Sequence, residues 1–156
     1  MAVEIEREFL LLNDSWRKEA SVPVRYRQGY LTGTDKSSVR VRIQGDKAFL
    51  NIKSAALGIR RQEYEYSIPL DDAEKLLDDL CNKPLIEKYR YFIKRGQHTW
   101  EIDEFLGDNQ GLVVAEVELQ SENDDIEKPA WLGEEVSEDT RYYNVCLVTH
   151  PYKDWE

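Results

Sequence analysis

The chain has 156 residues, 41% of them hydrophobic, with 31 acidic and 21 basic side chains and a formal net charge of −10. That length and apolar share suit a single globular domain over 1–156 and exclude wholesale disorder. The acidic excess argues against a nucleic-acid partner, and no apolar run approaches the roughly 20 residues of a membrane span.

The first residues, Met1-Ala2-Val3-Glu4-Ile5-Glu6, lack the basic-then-apolar order of a secretory signal. A strand is predicted over 3–12, and 13–22 suits a helix with Asp14 or Ser15 as cap. Strands follow over 24–32, 38–44, 47–54 and 60–68, with Gln44-Gly45-Asp46 turning the third into the fourth. A helix capped by Asp71 or Asp72 carries an apolar stripe of Ala73, Leu76, Leu77 and Leu80, limited by Pro84. Three more strands, 85–95, 98–106 and 112–121, are joined through Arg95-Gly96-Gln97 and through Gly107 to Gly111. A short helix from Glu122 to before Pro129 and a last helical turn or two over 143–149 complete the prediction. The tight spacing implies antiparallel hairpins. Cys81 and Cys146 have no metal-ligand spacing and are too few for a disulfide framework, so a reducing, cytoplasmic setting is expected.

Strand side chains alternate between faces. One face of seven strands is charged in blocks: Glu4, Glu6 and Glu8; Arg40 and Arg42; Asn51 and Lys53; Glu63 and Glu65; Lys88 and Arg90; Glu101 and Asp103; Glu116 and Glu118. Two architectures fit. One is a half-solvated antiparallel sheet whose charges meet water. The other is a closed barrel with an ionic lumen and an apolar exterior covered by helices, a size that can hold a small ligand. Carboxylates with few His or Cys suit hard cations such as Mg²⁺ or Mn²⁺, and paired Arg and Lys suit phosphate oxygens. Together they describe a metal–polyphosphate site. A P-loop and a Ser–His–acid grouping are both missing from the sequence, which has only two histidines.

Val3-Glu4-Ile5-Glu6-Arg7-Glu8-Phe9-Leu10 resembles the Glu-x-Glu-x-Lys signature of the CYTH superfamily, the triphosphate tunnel metalloenzymes. Val39-Arg40-Val41-Arg42, Leu50-Asn51-Ile52-Lys53, Glu63-Tyr64-Glu65, Glu87-Lys88-Tyr89-Arg90, Trp100-Glu101-Ile102-Asp103 and Ala115-Glu116-Val117-Glu118 resemble its strands in order and spacing. The tail from Trp131 to Val136, then Arg141-Tyr142-Tyr143-Asn144, is similar to the compact bacterial branch.

The resemblance implies a mainly β (α+β) fold: an eight-stranded antiparallel closed β-barrel with a few peripheral helices. It implies Glu4, Glu6, Glu116 and Glu118 as metal ligands. Arg40, Arg42, Lys53, Lys88 and Arg90 become the phosphate-binding cations, and Glu63, Glu65 and Asp103 acidic tunnel groups that place metal or water. Mg²⁺ or Mn²⁺ becomes the cofactor, tripolyphosphate the substrate, and a homodimer a family-level expectation. Glu8 departs from the signature lysine. It puts three carboxylates on one strand face, where one holds a proton or recruits more metal, and weakened binding or turnover or an altered metal requirement is expected. Hydrolysis to pyrophosphate and phosphate, cyclisation of ATP, and non-catalytic polyphosphate or nucleotide binding remain open alternatives.

Other residues read as structural. Trp16, Trp131 and Trp155 suit packing, and Cys81, near the end of the clear helix, suits a structural rather than a reactive role. His98 reads as a surface residue beside a turn and His150 as a helix-end residue, while Glu134, Glu135, Glu138 and Asp139 suit a solvated acidic loop. Arg141 and Asn144 fit either ordinary surface placement or a reach from the last helix to the tunnel mouth.

Overall fold

The computed structural model describes residues 2–55 and 58–155. Alternating polar and apolar side chains build nine strands: β1 (Val3–Leu11), β2 (Val24–Gly33), β3 (Ser37–Gln44), β4 (Lys47–Ser54), β5 (Arg60–Ser67), β6 (Ile86–Arg95), β7 (His98–Phe105), β8 (Val113–Glu118) and β9 (Leu132–Glu135). Their order is β5-β4-β3-β2-β6-β7-β8-β1-β9, and β5 also pairs with β1. That last pairing, Val3 opposite Gln62 through Ile5 opposite Arg60, closes the first eight strands into an antiparallel barrel. The β3–β4 and β6–β7 hairpins turn on Gly45 and Gly96, both at positive φ.

β1 is shared. Its early residues pair with β5, while Phe9 and Leu11 further along pair with β9. The ninth strand, in a segment expected to be an acidic loop, lies so close that a Cβ on Gly133 would meet the Leu10 carbonyl oxygen at 2.9 Å. Glu135 there accepts two hydrogen bonds from Arg7, at 2.9 and 2.7 Å.

Three apolar clusters hold the barrel. Outward residues of β1 and β6–β8 (Ile5, Phe9, Ile93, Trp100, Ile102, Val117) pack under Trp16 and Trp131. The helix α1 (Leu70–Lys75) covers Val41, Ile43 and Ala48 with Ala73 and, from the π-helical turn that follows over Leu76–Leu80, Leu77. The third cluster sits at one end of the lumen. There Tyr30, Ile86, Phe105 and Val114 meet Leu147 and Val148 of α2 (Asn144–Thr149). By strand alternation these four continue the rows of Gln28, Lys88, Asp103 and Glu116, so the lumen is ionic along most of its length and plugged with apolar side chains at one end.

Five expectations change. Pro69 precedes α1, and Asp71 and Asp72 lie in its first turn without capping through their side chains. The widening into a π turn breaks the 3.6-residue phase, and Leu80 is exposed. The stretch 13–22 holds only a 3₁₀ turn, Ser15–Lys18, and 122–129 is irregular. The barrel exterior is not wholly covered, since Tyr64 and Tyr66 face solvent. No helix of the described residues is long and apolar enough to cross a membrane.

Candidate active site in the barrel lumen

The eight barrel strands deliver inward side chains to one cavity of about 400 Å³. Twelve of the thirteen expected site residues line it: Glu4, Glu6, Glu8, Arg40, Arg42, Lys53, Glu63, Glu65, Lys88, Arg90, Glu116 and Glu118. Asp103 does not. It is fully buried behind the cations, taking 2.7 Å hydrogen bonds from Lys88 Nζ and Arg90 Nε and one of 2.9 Å from Arg90 Nη2. Burial raises its pKa, but the charges of Arg90 and Lys88 outweigh burial and hold it at about 2. Asp103 therefore anchors two cations from behind and is a positioning group.

Charge is divided unevenly around the wall. Lys53 reaches Glu4 and Glu63, each at 3.2 Å. Arg90 also meets Glu101 at 2.7 Å and Glu116 at 3.5 Å. Arg42 pairs with Glu65 at 2.7 Å. Burial and then the like charges of Arg40 and Arg90 lower the Arg42 pKa. The Nε atoms of both Arg40 and Arg42 are buried without a hydrogen-bond partner among the described residues. Unpaired buried guanidinium donors are costly unless an anion meets them.

The opposite wall has the reverse imbalance. Glu8 faces Glu116 across the β1–β8 pairing, and Glu6 faces Glu118. Burial, then the charge of Glu116 and a hydrogen bond with it, push the Glu8 pKa well up. Burial, then Glu116 and Glu4, do the same to Glu6. Glu118 is also raised, by burial and by Glu4 and Glu63. Such crowded oxygen donors are the chemistry that hard divalent cations take, and they fit Mg²⁺ or Mn²⁺. Among the described residues no three acidic, His or Cys side chains are already arranged as a closed ligand set.

A pH dependence follows for the metal-free protein. Glu6 and Glu8 hold their protons more tightly when folded than at the ordinary value of 4.5, so the folded state binds more protons above that pH. Stability then falls as pH rises from about 4.5 through the folded values. Thermal melts in chelator should show a lower midpoint at pH 8 than at pH 5.5, and millimolar Mg²⁺ should remove most of the difference. A midpoint that rises over this interval contradicts the carboxylate crowding.

Residues outside the thirteen also line the cavity. Glu101 pairs with Arg90 there. Arg61 continues the inward row of Glu63 and Glu65, and its guanidinium stacks on Tyr143 with 4.5 Å to the ring centroid. Extending the β5 alternation by two residues finds it. Asn144 reaches the cavity, but Arg141 turns away, pairing with Asp139 at 2.7 Å and lying over Trp155. His98 is better shielded than a surface residue and sits 3.1 Å from Asp124. Trp16 and Trp131 are buried, as expected, and Trp155 packs on Tyr142 and Tyr152. Cys81 is buried as well, with its thiol pKa raised by burial.

A profile of the CYTH domain matches residues 2–150. The chain belongs to the CYTH family. An inorganic triphosphatase of Acetivibrio thermocellus is 48% identical over 156 residues, covering 100% of this chain and 99% of that protein. An inorganic triphosphatase of Nitrosomonas europaea is 41% identical over 150 residues, covering 93% and 96%. The solved structure of the inorganic triphosphatase NE1496 superposes with a TM-score of 0.66 at 38% identity, covering 95% of each chain. The CYTH barrel thus accounts for the closure through β5–β1 and for the inward charge on seven of the eight barrel strands.

Proposed function

We propose that this CYTH barrel is an inorganic triphosphatase: with Mg²⁺ or Mn²⁺ it hydrolyses tripolyphosphate to pyrophosphate and orthophosphate. The observation that carries this reading is one cavity whose wall is divided between the cations Arg40, Arg42, Lys53, Lys88 and Arg90 and a row of crowded carboxylates. A polyanion with its cation satisfies both walls at once. The two curated relatives, at 48% and 41% identity, support the same reading.

Glu4, Glu6, Glu116 and Glu118 would hold the divalent cation. When bound, it supplies neutralisation of charge on the phosphoryl oxygens and polarises them. Arg40, Arg42, Lys53, Lys88 and Arg90 hold the remaining oxygens, and Asp103 keeps Lys88 and Arg90 in place. Glu63 is held ionised because Lys53 outweighs its burial. Glu63 can therefore orient a water and take its proton as the water oxygen bonds to the terminal phosphorus, with Glu65 beside it on the same strand face. The bond from that phosphorus to the bridging oxygen breaks, and pyrophosphate leaves. Positioning and charge neutralisation, rather than covalent chemistry by the protein, do most of the catalytic work.

Arg42→Ala should lower kcat/KM for tripolyphosphate by about 10- to 100-fold, the cost of one charged hydrogen-bonding group. The melting midpoint should stay near that of the parent, since Arg42 has one carboxylate partner and repulsive neighbours. Steady-state phosphate release settles it; hydrolysis unaffected by the substitution would remove Arg42 from the substrate site. The crowding of Glu8 against Glu116 favours one second reading, a polyphosphate-binding module of low turnover. Calorimetric tripolyphosphate binding without product, across Mg²⁺ and Mn²⁺, would establish it.

A further inference from the structure

We propose that Asn144, at the start of α2, is a phosphate-binding residue of the lumen: its side-chain amide donates to a triphosphate oxygen beside Lys88, and Gln28 is the positioning residue that holds it so. This role presupposes triphosphate hydrolysis in the tunnel, and the experiment below separates the two.

Two donors converge on one oxygen. Lys88 Nζ donates to Asn144 Oδ1 at 3.1 Å, and Gln28 Nε2 donates to the same atom at 2.8 Å. An ammonium has no acceptor, so the lysine alone fixes which end of the Asn144 amide is oxygen. The Nδ2 end is thereby set away from Lys88. It has no hydrogen-bond partner among the described residues, it is not among the atoms sealed from solvent, and Asn144 lines the cavity. Two amide hydrogens are therefore available to a ligand next to the ammonium that would hold the same phosphate.

Gln28 is fully buried, and its Oε1 has no partner among the described residues. Burying half of an amide unsatisfied costs stability, which a merely structural glutamine would avoid. Its side-chain hydrogen bond among the described residues goes to Asn144. Asn144 also lies where the ionic lumen meets the apolar plug, with Leu147 one turn further along α2 fully buried. The amide thus adds a neutral donor at the closed end, where another cation would lack a second carboxylate like Asp103.

Asn144→Asp and Asn144→Ala test the assignment through KM for tripolyphosphate with Mg²⁺. Aspartate keeps an acceptor for Lys88 and Gln28, but it replaces both donors with a charge that repels phosphate. It is also well tolerated in the first turn of a helix. If Asn144 binds substrate, Asn144→Asp raises KM about tenfold or more, and more than Asn144→Ala does, with kcat much less affected. If Asn144 only supports Lys88, aspartate is the milder of the two. That order, or an unchanged KM in Asn144→Asp, overturns the assignment. Should Asn144→Ala fail to fold, Asn144→Asp against the parent decides alone. A parent chain that neither binds nor hydrolyses tripolyphosphate would instead overturn the triphosphatase reading.

Discussion

Glu8→Lys should increase tripolyphosphate hydrolysis, by about 10- to 100-fold in kcat/KM, the range expected when one charged, hydrogen-bonding contact is gained. Glu8 is almost wholly buried and opposite Glu116 on the neighbouring strand. Glu6 and Asp103 add further negative charge around it. Two crowded carboxylates disfavour a second charge beside the first, which weakens the pair as a place for a metal ion. An ammonium at this position pairs with Glu116, relieves that crowding, and adds a phosphate donor to the acidic wall. Glu8→Gln, which removes the charge but adds no cation, should fall between the two. Initial rates with Mg²⁺ and with Mn²⁺ for the three proteins are the check; equal or lower activity in Glu8→Lys rejects this account of Glu8.

Asp103→Asn should lose about 3–5 kcal/mol of stability and most activity together, the cost of breaking a buried ionic cluster from one side. The substitution keeps the shape but leaves Lys88 and Arg90 buried without their shared carboxylate. Glu101 and Glu116 still reach Arg90, but no second carboxylate lies against Lys88 among the described residues. The pH dependence has a definite sign. The folded pKa of Asp103, about 2, is depressed below its ordinary 3.8, so its contribution is fully present above about pH 4 and fades as pH falls toward 2. Urea unfolding of the parent and of Asp103→Asn should therefore differ by a constant amount from pH 5 to 8 and converge in acid. A difference that vanishes at neutral pH contradicts the ionic anchor.

Much of this was legible in the sequence because strand alternation is a local rule. The charged rows on β1, β3 to β8 could be read two residues at a time, and twelve of the thirteen expected residues share one cavity. Asp103 obeyed the same alternation, yet its depth depends on Lys88 and Arg90 from the neighbouring strand folding over it, which no local pattern contains. β9 has four residues and was hidden among acidic side chains, and its place is set by a close backbone approach at Gly133. Leu80 looked like core because the π turn that ends on it was invisible to a 3.6-residue count. The apolar plug was missed for a similar reason. Tyr30, Ile86, Phe105 and Val114 lie on the inward face, but only the docking of α2 turns that stretch of lumen into a core.

Cationic and acidic rows that enclose a triphosphate with its divalent cation should act on tripolyphosphate itself. Phosphorus NMR of tripolyphosphate incubated with the chain and Mg²⁺ or Mn²⁺ is the decisive measurement. Orthophosphate and pyrophosphate should appear in equal amounts, cease in chelator, and form far more slowly with Arg42→Ala. Tripolyphosphate left intact and unbound with either metal, or consumed at the same rate by Arg42→Ala, would contradict that enclosure.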